Sequence, residues 1–113
     1  AGEFKKAIEQ LDGVEVEDTY VSVMRIGLKG DCHSELGDHE EAANLYKEAA
    51  EMNDNDFTTP YYLKKAGLCA EEIKNYEVAT ECYQRIKDEF PTFANSNGIE
   101  RYLARAKNQT SGK

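Results

Sequence analysis

The chain has 113 residues, the length of one ordinary domain, and carries 14 Lys and Arg against 22 Asp and Glu, a net charge of −8. An acidic surface repels phosphate backbones, so we expect no nucleic-acid partner. No apolar run approaches the roughly 20 residues that cross a bilayer, and three cysteines are too few for a disulfide scaffold, so we expect neither membrane contact nor a disulfide framework.

The first predicted element is a helix within residues 1–14 that looks like the second half of a repeated two-helix unit. Its segment Gly2–Ile8 matches two later segments, Gly37–Ala43 and Lys74–Thr80. A solenoid does not normally begin with half a unit, because each unit needs a neighbour to cover its apolar side. We therefore expect the chain to be a fragment of a longer protein.

The second predicted element is a complete unit over residues 23–56. Its apolar residues recur at steps of three and four, which predicts two helices. Between them, Gly37 suits a left-handed helix end and Asp38 suits the N-cap of the next helix. After the second helix, residues 53–59 form a polar connector, in which Thr58 and Thr59 are expected to cap the helix that follows.

The third predicted element repeats this unit over residues 60–93, at an offset of 37 residues. Gly30 then falls on Gly67 and Tyr46 on Tyr83. In the second turn, Lys74 takes the place of the glycine at some cost in strain, and Asn75 serves as the cap.

The remaining residues are predicted to form a closing helix over about 95–107 and a disordered tail over 108–113. Pro91 ends the preceding helix, and Ile99, Tyr102, Leu103 and Ala106 again follow helical spacing. The last six residues are polar and include a glycine, so we expect them to be frayed.

The pattern of small residues, aromatics and a closing proline resembles the tetratricopeptide repeat. In the first unit the motif places are filled by Gly30, Leu36, Gly37, Ala42, Tyr46 and Ala49. The resemblance implies an all-α fold, a single domain over residues 1–107 in which about six helices form an α-α superhelix. It also implies a non-catalytic module that binds proteins and needs no cofactor.

A narrower resemblance involves the segment I-E-R-Y-L-A-R-A at Ile99–Ala106. An array of this size ending in such a helix is similar to the C-terminal part of a bacterial envelope family related to the ancillary Sec-translocon subunit. That resemblance implies a periplasmic or envelope-attached protein whose membrane anchor precedes this segment. If the narrower resemblance does not hold, we expect a cytoplasmic location.

We find no pattern typical of catalysis, since the sequence lacks a nucleophile elbow and a glycine-rich phosphate loop. Cys32, His33 and His39 suggest a metal site, but no pair at i, i+4 presents two such ligands on one helix face. Packing is the favoured interpretation of His33 and Cys32. Cys69 and Cys82 are also interpreted as core residues, with a bridge between them as the alternative.

In this repeat family the first helices of successive units line a concave face. The resemblance implies that the motif positions exposed on this face are the binding residues. In this sequence those positions are Met24, Leu28, Asp31, Glu35, Tyr61, Lys64, Lys65, Leu68 and Glu71. A peptide is expected to lie on the apolar members, with Lys64 and Lys65 meeting an acidic group. The alternative is that these side chains pack against missing repeats or the closing helix. Gly27 and Asp31 replace the residues that chaperone-binding members use to hold a terminal carboxylate.

The sequence suggests two alternative functions, a binding module and a structural unit. The leading hypothesis is a non-catalytic scaffold that binds a protein or peptide on its concave face. The alternative is a structural spacer that self-associates through its N-terminal edge helix, with Phe4, Ile8 and Leu11 forming the dimer contact.

Overall fold

The computed structural model describes residues 2–13 and 19–111, and within them the chain is all-α, as predicted. The helices are α1 Gly2–Asp12, α2 Thr19–Glu35, α3 His39–Met52, α4 Thr58–Glu72, α5 Tyr76–Glu89, α6 Pro91–Asn97 and α7 Ile99–Ser111. Helices α2 and α3 form one hairpin and α4 and α5 the next. Residue 1 and residue 14, the predicted limits of the half unit, lie outside the described residues.

Both hairpin turns have the backbone that their sequences predict. Gly37 has a φ of +84° and Lys74 a φ of +60°, so each turn passes through the left-handed region. Glycine enters that region freely, whereas a lysine there costs on the order of 1 kcal/mol. After each turn the predicted cap is confirmed, because Asp38 accepts a hydrogen bond from the backbone N–H of Glu41 and Asn75 from that of Val78.

Within each hairpin, a tyrosine of the second helix lies directly over a glycine of the first. A Cβ added at Gly30 would lie 2.7 Å from the ring of Tyr46, and one at Gly67 would lie 2.5 Å from the ring of Tyr83. Both rings are almost fully buried. The glycines therefore allow the two helices to approach closely enough to enclose the rings.

The core runs through the molecule from one hairpin to the next. Helix α3 packs on α4, and α5 packs on α7, so α7 takes the place that the first helix of a further unit would occupy. The largest fully buried side chains include Tyr83, Ile86 and Ile99. Helix α7 therefore covers the apolar side of the second hairpin, as a repeat array requires at its end.

The C-terminal part differs from the predicted closing helix over 95–107. Two helices occupy this region, because Gly98 has a φ of +62° and ends α6 before α7 begins. Helix α7 then continues to Ser111 through residues predicted as tail, and the Thr110 hydroxyl donates a hydrogen bond to the Ala106 carbonyl at 3.1 Å. Helix α2 also begins at Thr19, four residues before the predicted start of its unit.

Candidate protein-binding face

The predicted binding residues lie on α2 and α4, and the apolar ones reach the surface. Met24 and Leu28 on α2 are 38% and 48% exposed, and Tyr61 and Leu68 on α4 are 47% and 37% exposed. Side chains of this size are usually buried, so their exposure on adjacent helices marks this face as unusual. Gly27, between Met24 and Leu28, is covered by the Tyr62 ring instead.

A cleft of about 430 Å³ separates the N-terminal halves of α2 and α4. We call it the α2–α4 cleft. Three of the four exposed apolar residues, Met24, Leu28 and Tyr61, line it together with Asp31. The rest of its lining is Tyr20 from α2, Asp56, Phe57, Thr58 and Tyr62 from the start of α4 and the residues before it, and Phe93 from α6. The predicted residues Glu35, Lys64, Lys65, Leu68 and Glu71 lie outside this cleft.

Lys65 already has an acidic partner within the chain. Its ammonium donates to Asp31 Oδ1 at 2.8 Å, and the Tyr46 hydroxyl donates to the same oxygen at 2.5 Å. Burial disfavours the ammonium, but the hydrogen bonds with Asp31 and Tyr61 outweigh it, and the pKa of Lys65 is raised. Lys65 therefore stays charged and joins α2 to α4, which leaves it less suited to the predicted role of receiving a partner's acidic group.

A corresponding network joins α4 to α7. Arg105 donates from Nε and Nη2 to the two carboxylate oxygens of Glu71 at 2.8 and 2.6 Å, and the Tyr83 hydroxyl donates to Glu71 Oε2 at 2.6 Å. Burial raises the pKa of Glu71, but the hydrogen bonds from Arg105 and Tyr83 outweigh this and lower it. Glu71 is thus engaged by the closing helix.

Lys64 also faces α7, with its ammonium 5.4 Å from the centroid of the Tyr102 ring, within cation–π range. For Lys64 and Glu71, the alternative that the predicted binding residues pack against the closing helix is the one that the structure favours. Glu35 and Leu68 line another depression of about 460 Å³, together with Lys65 and with Asp31, which it shares with the α2–α4 cleft. The face is therefore divided into an apolar end and a charged end.

Four aromatic residues of the α2–α4 cleft, Tyr20, Phe57, Tyr62 and Phe93, were not predicted. Phe57 is 82% exposed. The connector before α4 holds it in place, because Asn55 Oδ1 accepts hydrogen bonds from the backbone N–H groups of Phe57 and Thr58, each at 2.8 Å. Asn55 thus provides the cap that was expected from Thr58 and Thr59. The sequence feature that indicates Phe57 as a candidate binding residue is its position as a phenylalanine in an otherwise polar connector.

A second cleft, of about 560 Å³, adjoins the first at Phe57. We call it the phenylalanine cleft. It shares Asp56, Phe57 and Phe93 with the α2–α4 cleft, and its remaining lining is Glu89, Phe90, Pro91, Thr92, Ser96 and Asn97. Pro91 begins α6 directly after α5, which brings Phe93 beside the connector. The two clefts form one continuous surface around Phe57.

The thiols and imidazoles of the described residues serve packing and local contacts. Cys32, Cys69 and Cys82 are free, and burial raises the pKa of the Cys82 thiol to about 11, which disfavours the reactive thiolate at neutral pH. His33 Nδ1 lies 3.3 Å from Asp38 Oδ2. Within residues 2–13 and 19–111, no three or more His, Cys, Asp or Glu side chains are grouped to hold a metal ion.

The N-terminal helix packs on α2. Phe4, Ile8 and Leu11 are half-buried, Lys29 pairs with Asp12, and Arg25 Nη1 donates to the Leu11 carbonyl at 3.3 Å. The residues predicted as a dimer contact are therefore less exposed than Met24, Leu28 and Tyr61 of the α2–α4 cleft. In the described part of the chain, no helix has the length and apolar character that crossing a bilayer requires.

Comparison with known families agrees with the packing described above. Two tetratricopeptide repeat models match residues 26–56 and 63–92, which together make up more than half of the chain. Comparison with curated proteins and with solved structures gives no match, and no finding supports the narrower resemblance to the translocon-related envelope family. Tetratricopeptide repeats generally mediate protein–protein interaction and are typically non-catalytic. With its two matched units and the glycine–tyrosine contacts inside both hairpins, the chain belongs to the tetratricopeptide repeat family.

Proposed function

We propose that this protein is a non-catalytic interaction module that binds a peptide segment of a partner protein in the α2–α4 cleft. The observation that carries the proposal is the exposure of Met24, Leu28 and Tyr61 along one cleft between successive repeats. Grooves that bind peptides are concave and mostly apolar, with a few polar groups that fix orientation. In this cleft Asp31, Asp56 and Thr58 are the polar groups.

The energy available from this surface suits a peptide ligand. Fully burying a side chain such as Leu or Met contributes about 1.5–3 kcal/mol, and these side chains are already partly buried, so each has roughly 1 kcal/mol left to contribute. Several such contacts are needed to offset the entropy lost on association. The α2–α4 cleft supplies them, since it combines two aliphatic and several aromatic side chains.

The frame of the cleft is held before any ligand arrives. Lys65 links Asp31 on α2 to α4, and its ammonium lies 4.9 Å from the centroid of the Tyr61 ring. Tyr61 in turn packs edge-to-face against Tyr62, with ring centroids 5.0 Å apart. A preorganised cleft loses less side-chain entropy on binding, which favours affinity.

The test uses a random dodecapeptide display library selected on the whole chain. The double variant Met24→Gln, Leu28→Gln removes two exposed apolar side chains from the cleft. The control Met52→Gln, Ile73→Gln removes two of similar exposure, 38% and 39%, elsewhere on the surface. We expect the cleft variant to raise the Kd of the selected peptides by about tenfold or more. The control variant should change this Kd by less than about twofold.

Equal effects of the two double variants would contradict the proposal, as would a failure to select any peptide. Thermal unfolding of both variants provides the folding control. Because the changed side chains are at least one-third exposed, we expect their Tm values to stay close to that of the unchanged protein.

Self-association through the N-terminal edge stays a prediction, as do the origin of the chain as a fragment and its place in a bacterial envelope. Phe4, Ile8 and Leu11 are half-buried, so the edge offers less apolar surface than the cleft. Light scattering over a concentration series separates the two functions. A dimer that Phe4→Asp dissociates supports the edge, and a monomer at all concentrations supports the cleft as the working surface.

A further inference from the structure

The surface around Phe57 combines aromatic rings with acidic side chains. Phe57 and Phe93 lie in both clefts, and Asp56 lies in both beside them. Among the described residues, neither cleft is lined by a lysine or an arginine. The charged groups of this surface are therefore all carboxylates, namely Asp31, Asp56 and Glu89.

These three carboxylates differ in how far the chain itself neutralises them. Asp31 accepts from Lys65 and Tyr46, and Glu89 lies 3.3 Å from Arg85 Nε. Asp56 is exposed and makes no hydrogen bond or ion pair with the described residues. An unpaired carboxylate thus lies next to the most exposed aromatic ring of the described surface.

A cationic side chain is the group that such a surface recognises. Aromatic rings carry a negative face that attracts ammonium and guanidinium groups, and arginine also stacks on them through its planar fork. A carboxylate at the same place adds a charge-assisted hydrogen bond. The net charge of −8 favours a basic partner at long range and disfavours an acidic one.

We infer that the occupant of this surface is a basic peptide segment in which an arginine or lysine lies next to apolar residues. The apolar residues occupy the α2–α4 cleft, and the cationic side chain enters the phenylalanine cleft between Phe57 and Phe93, with Asp56 as its counter-charge. This inference rests on the proposed function and specifies the chemistry of the peptide.

The way the connector is built supports this assignment. Thr59 is fully buried, accepts from the Asn55 backbone N–H and donates to the Ala50 carbonyl, each at 3.0 Å, and so anchors the connector to α3. Asn55 then fixes the backbone of Phe57. The exposed ring is therefore carried on an ordered segment, and little conformational entropy is lost when a ligand covers it.

The test begins with the same dodecapeptide selection on the whole chain. We expect the selected peptides to be enriched in arginine or lysine next to an aliphatic or aromatic residue. Exchange of that arginine for citrulline keeps the shape of the side chain and removes its charge, and we expect it to weaken the Kd by about tenfold. For a selected lysine, acetylation removes the charge in the same way.

Variants of the protein then locate the cation. We expect Asp56→Lys to weaken binding by about tenfold or more and Phe57→Ala by about fivefold. Glu48 is exposed on α3 and lines neither cleft, so Glu48→Lys matches the change in net charge and is expected to alter the Kd by less than about twofold. A double-mutant cycle between Asp56→Asn and the citrulline exchange should show coupling of about fivefold.

The outcomes separate this inference from the proposed function. If the selected peptides lack basic residues, or if Asp56→Lys and Glu48→Lys have equal effects while Met24→Gln, Leu28→Gln still abolishes binding, the basic-peptide inference is overturned and the peptide-binding cleft stands. If no peptide is selected, or if binding is unaffected by the cleft variants, both proposals fail.

Discussion

Helix α4 contacts α2 on one side and α7 on the other. The two contacts contain the same kind of hydrogen-bonded ion pair, but the surfaces beside them differ. In each, a tyrosine of the intervening helix and a cation of the following helix converge on one carboxylate, Asp31 in the first and Glu71 in the second. The carboxylate directly follows the glycine of its helix in the first contact and comes four residues after it in the second.

The surfaces beside the two carboxylates also differ. Between α2 and α4, the apolar side chains before the ion pair are exposed around a cleft. Between α4 and α7, Arg105 lies 5.0 Å and Lys64 5.4 Å from the Tyr102 ring centroid, so two cations lie on this ring, whereas Lys65 alone lies on the Tyr61 ring of the first contact, at 4.9 Å. The first contact thus borders the apolar cleft that we propose as the binding surface, whereas the second borders a depression of about 570 Å³ whose lining includes the charged side chains of Glu71 and Arg105.

The largest effect is expected from adding a methyl group at a glycine under a buried ring. In Gly67→Ala, the new Cβ would lie 2.5 Å from Cε1 of Tyr83, a ring that is fully buried and cannot move aside. We expect a loss of about 2–3 kcal/mol in the free energy of unfolding, despite the better helix propensity of alanine. Urea titration measures it. A stability equal to that of the unchanged protein would contradict the close helix approach described here.

A smaller loss is expected from breaking the α4–α7 network. Arg105→Gln leaves the Glu71 carboxylate, whose side chain is only 14% exposed, without its cation, at a cost of about 2 kcal/mol. The same change in the α2–α4 network, Lys65→Met, should cost about 1 kcal/mol, because Asp31 is 42% exposed and water replaces the lost partner. An equal cost at the two sites would contradict the distinction between them.

The pH dependence of stability provides an independent check on the Glu71 network. In the folded protein the pKa of Glu71 is lowered from its ordinary value of 4.5. The ionised carboxylate therefore stabilises the folded state above pH 4.5, and this stabilisation is lost as the pH falls through the folded pKa. Acid unfolding of the unchanged protein should therefore include this loss, and Arg105→Gln should largely remove it. Urea titrations at pH 7 and at pH 3 measure the difference between the two proteins.

The smallest effect is expected at the turns. Lys74→Gly relieves the left-handed strain at φ +60° and should raise the free energy of unfolding by about 0.5–1 kcal/mol, while Gly37→Ala should lower it by a similar amount. Lys74 is exposed, which isolates the backbone effect from packing. Thermal unfolding of both variants tests the expectation, and a destabilised Lys74→Gly would contradict the strain assigned to that turn.

Features that depend on residues near one another in sequence could be predicted. The repeated hairpins and the caps at Asp38 and Asn75 follow from local spacing and turn chemistry, and the structure confirms them. The exposure of Met24, Leu28 and Tyr61 also follows from their places in the repeat.

Features that depend on contacts between units could not be predicted in the same way. Lys65 and Asp31 are 34 residues apart, as are Arg105 and Glu71, and nothing in their local sequence shows that each cation reaches its carboxylate. The role of Phe57 depends on where α6 brings Phe93, and the sequence did not show that α6 is a separate helix.

The measurement that tests the central claim most directly is the mapping of a selected peptide onto the chain by NMR. Backbone amide shifts are followed as the peptide is added to the whole, isotope-labelled protein. We expect the largest changes at Met24, Leu28, Phe57 and Tyr61 and only small ones on α1 and α7. Largest changes on α1 or on α7 would contradict the assignment of the α2–α4 cleft as the binding surface.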